Sequence, residues 1–382
     1  MAFTKAERGL IAGAAFLVFT RVFAFSLTTL GFTEYARGLA VGLEPAAAGQ
    51  WAGIALGAYG VTMAIAQLAS GWLSDKVGRR VILAGGAVLF VAGAALCAVA
   101  DSIPLLIAGR LLAGLGGVSS VALAAVGETV PDERRTRAMA MVGIPAGLGV
   151  FLGFLVGPPL ASLIGFPGLF WATGLLGLLA ALPALRPLPP PLPGLAAPNR
   201  SLGSAVLALG LAGFSVNYAM TAVMFDFQSG VLARIGTWLL AGILVVALVI
   251  MGGVSRRVDR GGGAAVAIAV SLALLALAAP LFRLLDPTAA VISGGILFFA
   301  AHATLSAVLP SQVSRLAGRS GGTGHGIQLV IAYLGSAAGG LVAGRFADGL
   351  APAFVLLAVL AGSAAFWVLA SLRPPTLKSK GE

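Results

Sequence analysis

The chain has 382 residues, of which 59% are hydrophobic and only 10% are charged, and its mean hydropathy is +1.02. A water-soluble domain has roughly a quarter charged residues and about half apolar residues. This composition excludes an ordinary soluble enzyme and indicates an integral membrane protein. At roughly 20 apolar residues per bilayer crossing, the chain has room for about a dozen helices.

Long apolar stretches recur along the whole chain, separated by short charged or Pro/Gly-rich breaks. A hydropathy window of about 19 residues predicts twelve transmembrane helices, numbered here as spans one to twelve. They cover residues 9–32, 50–73, 80–100, 104–127, 138–162, 168–187, 202–225, 234–254, 263–282, 288–310, 324–344 and 351–371. The expected fold class is therefore an all-α polytopic membrane protein.

The basic residues are distributed unevenly between the two sides of this arrangement. Of the 24 lysines and arginines, 18 fall in the N-terminal segment or in segments on its side of the membrane, and four fall on the other side. Because Lys and Arg collect in cytoplasmic loops, we expect both termini to be cytoplasmic. The same distribution explains the net charge of +11 without a nucleic-acid partner.

A proline-rich stretch at residues 188–201 separates spans six and seven. Such a composition gives a semi-extended linker, so we predict two pseudo-symmetric six-helix bundles, over residues 1–187 and 202–382. The weak sequence matches between the bundles pair residues 71–80 with 252–261 and residues 153–157 with 340–344. Many transporters are built from such repeats, with the substrate site at the repeat interface near the bilayer midplane.

Three short stretches carry glycines and charges at regular spacing. The first is Gly71-Trp-Leu-Ser-Asp75-Lys-Val-Gly78-Arg79-Arg80, between spans two and three. Its Gly78 permits a tight turn, and its Asp75 can sit at a helix N-terminus. The second is Leu106-Ile-Ala-Gly-Arg110-Leu-Leu-Ala113-Gly114-Leu-Gly116, in span four. The third is Gly149-Val-Phe-Leu-Gly153-Phe-Leu-Val-Gly157-Pro158 in span five, where the glycines form a groove and Pro158 is expected to kink the helix.

These stretches resemble three signature motifs of the major facilitator superfamily, and within it of the twelve-span drug:proton antiporters of bacterial inner membranes. Two departures stand out: Ala113 replaces a polar residue of the second motif, and Ala161-Ser162 replaces the glycine pair that follows the third. The resemblance implies the major facilitator fold. It also implies a conformational latch on the cytoplasmic side, formed by Gly71, Asp75, Gly78, Arg79 and Arg80 with Glu128 as the acidic partner.

Two arginines, Arg21 and Arg110, lie within predicted spans. A buried arginine costs about 2.5–3.5 kcal/mol on insertion scales, so each should face the protein interior and have partners. Arg110 could instead reach outward to the membrane interface, because it lies in the outer third of its span. We further expect the span-five groove to pack against a helix of the other bundle; tight packing without directional meaning is the alternative.

Proton coupling needs a group that changes protonation between two access states, and burial can bring a carboxylate into that range. No carboxylate lies deep in a predicted span. Glu34 and Asp226, at the outer ends of spans one and seven, are the leading candidates, and His302 in span ten is the reserve. The simpler interpretations are solvated helix ends and a hydrogen-bonded core histidine. Polar side chains within spans add candidate cavity residues, namely Tyr59, Gln67, Asn217, Tyr218, Gln312, Gln328 and Tyr333.

The leading hypothesis is a secondary active transporter that exports small amphipathic compounds in exchange for protons. No metal or cofactor is expected, because a proton gradient supplies the energy. The expected partners are a small-molecule substrate and the lipid bilayer, with the protein acting as a monomer in a bacterial inner membrane. A uniporter or symporter for a sugar, lipid or other metabolite is the alternative. An intramembrane enzyme or a structural scaffold is a third class, for which no nucleophile–base set is visible.

Overall fold

The computed structural model describes residues 3–182, 203–227, 231–259, 263–284, 287–317, 321–346, 349 and 351–372. These residues form helices joined by short turns, with no strand among them. The helices are α1 (Lys5–Leu27), α2 (Phe32–Gly38), α3 (Pro45–Val77), α4 (Arg79–Ala98), α5 (Ile103–Leu115), α6 (Ser119–Thr129), α7 (Asp132–Ala180), α8 (Gly203–Phe227), α9 (Val231–Asp259), α10 (Ala264–Leu284), α11 (Pro287–Ala317), α12 (Gly321–Arg345) and α13 (Ala351–Ser371).

In the part of the chain that the structure describes, ten helical stretches are long and apolar enough to cross a bilayer. One of them, Met141–Ala180, has 40 residues, about twice the length that one crossing needs. A shorter apolar stretch, Ala264–Ala278, belongs to α10. The all-helical membrane fold is confirmed with ten to twelve apolar helices, and the count of twelve stays a prediction. The linker expected at 188–201 lies outside the described residues.

Helix α7 consists of two segments that meet at Gly165, where φ is 68° and ψ is 174°. Before this point Gly157 packs against Leu27 at the end of α1, whereas after it the Thr173 hydroxyl donates to the Ala24 carbonyl at 3.3 Å. The chain therefore reverses at Gly165, between predicted spans five and six. The backbone departs from helical angles at this glycine rather than at Pro158, because a positive φ costs glycine little.

Span four, predicted as one helix, is divided into α5 and α6 around Gly116 and Gly117. The first turn of α6 has amide groups with no intrahelical hydrogen-bond partner, and Gln67 of α3 accepts a hydrogen bond from one of them. The Ser120 amide donates to Gln67 Oε1 at 2.9 Å, and the Ser120 hydroxyl donates to the Gln67 carbonyl at 3.2 Å. Gln67 therefore fastens the break in span four to span two.

The helix ends fall on two sides of the molecule. We call one side the basic face; it carries the start of α1, the α3–α4 turn at Gly78 and the end of α6. The other side, called the opposite face, carries α2 and the start of α3. Gly78 has a φ of +90°, a value that favours glycine and makes the tight turn between spans two and three possible.

The N-terminal part (residues 3–182) and the C-terminal part (residues 203–372) meet most extensively where α3 lies antiparallel to α12. A methyl group added at Gly57 would lie 2.7 Å from the Ala337 carbonyl oxygen, and one added at Gly344 would lie 2.8 Å from the Gly53 Cα. The two backbones approach this closely because side chains are absent there. We call this contact the glycine seam; it comprises Gly53, Gly57, Gly60, Ala337, Gly340 and Gly344.

The seam lies toward the opposite face, since Gly53 is near the start of α3 and Gly344 is near the end of α12. Two aromatic contacts also join the parts. The Arg37 guanidinium of α2 lies 5.2 Å from the Phe225 ring of α8, and the rings of Phe154 and Phe299 are 6.0 Å apart. The opposite face is therefore closed in this structure.

The span-five glycines pack within the N-terminal part, so the expectation that they contact the other bundle is wrong. A methyl group at Gly149 would lie 2.9 Å from the Phe19 carbonyl oxygen, and one at Gly157 would lie 2.6 Å from the Leu27 carbonyl oxygen. The atom nearest to a methyl group added at Gly153 would be the Cβ of Ser26, so the α1 residue at this contact also has a small side chain. Helix α1 packs in the groove because the small residues on this face of α7 let the two backbones approach closely.

The C-terminal part repeats this packing. Gly335 and Gly339 of α12 face the backbone of Phe214 and Tyr218 in α8, as the span-five glycines face α1. The equivalent helix of each part thus packs on that part's first helix through glycines four residues apart. Helix α12 carries in addition a second small-residue surface, which forms the glycine seam.

Candidate functional site

Arg21 of α1 lies deep in the N-terminal part, with only 5% of the residue exposed. Its Nη2 donates to the Gly86 carbonyl at 3.2 Å, and its guanidinium carbon lies 4.0 Å from the centre of the Phe90 ring. Among the described residues, Nε and Nη1 have no hydrogen-bond partner. Arg21 is also within electrostatic range of Tyr59 and of Tyr333, which belongs to the C-terminal part.

Arg110 of α5 is buried to the same extent, within a ring of aromatic side chains. Its guanidinium carbon lies 4.8 Å from the Tyr59 ring centre, 4.9 Å from that of Phe32 and 5.5 Å from that of Phe25. Its Nε finds no hydrogen-bond partner in the described part of the chain. The alternative in which Arg110 reaches outward to the interface is therefore wrong.

A cavity of about 20 Å³ lies beside Arg110, which is room for about one water molecule. Its walls include Tyr59, Phe90, Cys97 and Phe170 as well as Arg110. Phe90 connects the two arginines, since it lines this cavity and also stacks on Arg21. We call Arg21, Tyr59, Phe90, Arg110 and Tyr333 the arginine–aromatic cluster. Tyr59 and Phe90 are buried in one apolar cluster against which Tyr333 packs.

The basic face carries an ion pair between Arg79 at the start of α4 and Glu128 at the end of α6. Sequence reasoning placed these two residues together, and the structure brings them into contact. Arg80 is exposed beside them, and the Asp75 side chain lies outside the described ones. Both members of the pair belong to the N-terminal part, so the contact joins spans three and four rather than the two parts.

A second ion pair on this face was not predicted. Arg134 of α7 donates from Nη1 and Nη2 to the two carboxylate oxygens of Glu7 at 3.0 and 3.1 Å. Glu7 also accepts from the Thr4 amide at 2.7 Å, and the Thr4 hydroxyl accepts from the Glu7 amide. This arrangement is a capping box, and its sequence signal, Thr4-x-x-Glu7, is present at the start of α1.

The three candidates for proton coupling lie apart from the arginine–aromatic cluster as far as the structure describes them. Glu34 is exposed on the short helix α2, because α1 ends at Leu27 before the predicted end of span one. Asp226 lies in the last turn of α8, and its side chain is outside the described ones. His302 of α11 stacks on Phe298, with 6.3 Å between the ring centres.

The polar candidates within spans divide into cluster members and structural contacts. Tyr59 and Tyr333 belong to the arginine–aromatic cluster. Asn217 donates from Nδ2 to the Gly213 carbonyl of its own helix at 3.0 Å, and Tyr218 donates to the Ala353 carbonyl at 3.0 Å. Gln328 is buried against Gly213 at the α8–α12 contact, and Gln312 is also buried. Tyr218 therefore joins α8 to α13, and Gln328 packs at the α8–α12 contact, whereas Asn217 bonds within its own helix.

Comparison with known proteins identifies the family. The sequence profile described as Major Facilitator Superfamily matches residues 10–340. The chain belongs to the major facilitator superfamily. Its members are membrane transporters rather than enzymes, which sets aside the enzyme alternative. They bind small-molecule substrates and are typically monomeric.

The similar proteins fit this assignment. The inner membrane transport protein YajR of Escherichia coli is 36% identical over 124 residues, which is 32% of this chain and 27% of YajR. The putative multidrug resistance protein MdtD of Yersinia enterocolitica is 33% identical over 133 residues, covering 34% of this chain and 28% of MdtD. The matched segments thus span about a quarter of the length of these relatives. They are bacterial membrane proteins, which points to an inner-membrane location.

The fold also matches a solved transporter along its whole length. The partially occluded inward-open structure of the xylose transporter XylE from Escherichia coli superposes with a TM-score of 0.75, covering 99% of this chain and 100% of that one. The sequence identity is 15%. This likeness establishes the major facilitator fold and carries no information on substrate.

Proposed function

We propose that the chain is a secondary active transporter that exports small amphipathic compounds in exchange for protons. The observation that carries this proposal is the buried arginine–aromatic cluster, in which Tyr333 of the second part packs against the cluster of Tyr59 and Phe90 of the first part. A site built by both parts is loaded from one side of the membrane and emptied to the other when the parts rock. The multidrug name of MdtD supports the export direction.

In this mechanism the glycine seam opens and closes once in each transport cycle. The contact consists of backbone against backbone, so separating the helices requires no long side chain to leave a pocket. The Arg79–Glu128 pair and Asp75 form the cytoplasmic latch, which favours the outward-open state. The pair braces spans three and four and so fixes the loop that carries Asp75.

The candidates for proton coupling are Glu34, Asp226 and His302. The acidic side chains that the structure describes lie at helix ends or in turns, namely Glu7, Glu34, Glu44, Asp101 and Glu128. The exposure of Glu34 removes the burial on which its candidacy depended. A uniporter or symporter for a sugar, lipid or other metabolite is therefore the second candidate, favoured because no described carboxylate lies deep in a span.

The test is substrate flux in proteoliposomes across an imposed pH gradient, using a panel that includes ethidium and xylose. We expect a pH-gradient-dependent efflux of at least one amphipathic compound, reduced several-fold in one or more of Glu34→Gln, Asp226→Asn and His302→Ala. A gradient response that all three variants retain would remove these residues as the coupling site. Gradient-independent flux in the parent would replace export with uniport.

A further inference from the structure

The two buried arginines are left with unused hydrogen-bond donors. Both are 5% exposed, and within the described part of the chain Nε and Nη1 of Arg21 and Nε of Arg110 have no hydrogen-bond partner. Within the described side chains, the two carboxylates in ion pairs, Glu7 and Glu128, pair with Arg134 and Arg79 on the basic face. Two guanidinium groups without a carboxylate partner among the described side chains are costly in a bilayer-spanning bundle, so they indicate a function rather than packing.

Both arginines contact one buried cluster of aromatic side chains, in which Arg21 stacks on Phe90 and Arg110 stacks on Tyr59. Tyr59 stands within electrostatic range of both guanidinium groups, and Phe90 touches Arg21 while lining the cavity beside Arg110. Thr28 and Thr173 also line this cavity, and their hydroxyls donate to the backbone carbonyls of Phe25 and Ala24. The region thus combines two fixed positive charges with aromatic walls.

We propose that Arg21 and Arg110 bind the anionic head of an amphipathic organic substrate, a carboxylate or a sulfonate. Guanidinium groups bind such oxyanions through paired, charge-assisted hydrogen bonds. The aromatic rings around Arg110 would contact an apolar substrate body. This inference rests on the proposed transport function and names its substrate class.

The geometry also gives Tyr333 a part in this site. Tyr333 comes from the C-terminal part and packs on the cluster beside the glycine seam, where a methyl group at Gly60 would lie 2.9 Å from the Tyr333 carbonyl oxygen. Its hydroxyl can donate to an anion held by Arg21. Opening of the seam moves Tyr333 away from the cluster of Tyr59 and Phe90, so anion binding and the positions of the two parts are linked.

An arginine that serves as a proton carrier is excluded as the explanation, since guanidinium stays protonated in proteins. A purely structural pair of arginines would bind no ligand. A substrate-binding role is distinguished from a structural role by comparing the binding affinity of an anion with that of an uncharged analogue of the same shape.

The experiment measures equilibrium binding to the purified full-length protein in phosphatidylcholine nanodiscs. The radiolabelled probes are benzoate, 1-naphthoate and naphthalene-2-sulfonate, with methyl benzoate, methyl 1-naphthoate and naphthalene-2-sulfonamide as uncharged competitors. We expect at least one anion to bind at least tenfold more tightly than its uncharged counterpart. Arg21→Gln and Arg110→Gln should each raise that Kd at least tenfold, whereas the exposed Arg8→Gln should leave it within twofold.

Size-exclusion profiles and Tm values establish whether each variant is folded. If one arginine variant fails to fold, the other arginine variant and Tyr333→Phe decide the result. Tyr333→Phe is expected to raise Kd severalfold. The inference is overturned if no anion binds more tightly than its uncharged counterpart, or if folded arginine variants bind as the parent does. Ethidium efflux without anion binding would overturn the anion site and leave the export function standing. Anion binding in a protein whose substrate flux does not respond to a pH gradient would support the site and remove proton coupling.

Discussion

At the scale of single residues, charged groups at the basic face stabilise the N-terminal part. Glu7 is 6% exposed and receives both terminal nitrogens of Arg134, while it also closes the capping box with Thr4. One carboxylate therefore fixes the first turn of α1 and holds the start of α7 against it. The capping signal could be found in the sequence, but Arg134 could not be assigned as a partner because 127 residues separate the two.

Glu7→Gln should lower the free energy of unfolding by about 2 kcal/mol, because it removes a charged acceptor and leaves a partly buried guanidinium without its pair. The expected readout is a lower Tm of the purified protein in detergent. Glu44→Gln is the matched control, since Glu44 is exposed and its side chain makes no capping bond. Equal Tm values for the two variants would show that the ion pair contributes nothing measurable.

At the scale of elements, glycines decide which helices pack together. The third motif was recognised from its spacing, yet its partner was assigned wrongly, because a groove in one helix does not specify which helix fills it. The seam was missed for a related reason. Gly49, Gly53 and Gly57 repeat four residues apart in the segment that forms α3, but the sequence does not reveal that they face α12.

Gly157→Val should lower the Tm and reduce transport, because its side chain would meet the Leu27 carbonyl and force α1 away from α7. Overpacking of this kind costs about 1–3 kcal/mol. Gly147→Val provides a control on the same helix, since a methyl group at Gly147 meets nothing within 4 Å. A Gly157→Val protein as stable and as active as Gly147→Val would mean that the α1–α7 contact tolerates separation.

Much of the helix arrangement was predictable, because spans of about 20 apolar residues have few alternatives in a bilayer. The break in span four was not, since Gly116 and Gly117 are equally compatible with a continuous membrane helix. It depends on Gln67, a residue on another helix that satisfies the exposed amide of Ser120. The burial of Arg110 among aromatic rings likewise depends on helix rotation, which hydropathy leaves undetermined.

At the scale of the whole molecule, the proposed transport cycle depends on one movement, the opening of the glycine seam at the opposite face. Closing requires that Gly57 of α3 meet Ala337 of α12 without an intervening side chain. A bulky residue at this position should hold the parts apart and open a path to the arginine–aromatic cluster. Cys97, the single cysteine of the chain, lines the cavity of this cluster and is 1% exposed, so it is a built-in probe.

The most direct test is the rate at which a membrane-impermeant maleimide modifies Cys97 in nanodiscs. Gly57→Leu should raise this rate at least tenfold over the parent, because the seam can no longer close. Gly85→Leu should label at the parent's rate, since a methyl group at Gly85 meets nothing within 4 Å. A folded, monodisperse Gly57→Leu protein whose Cys97 reacts no faster than the parent's would contradict the seam as the element that controls access.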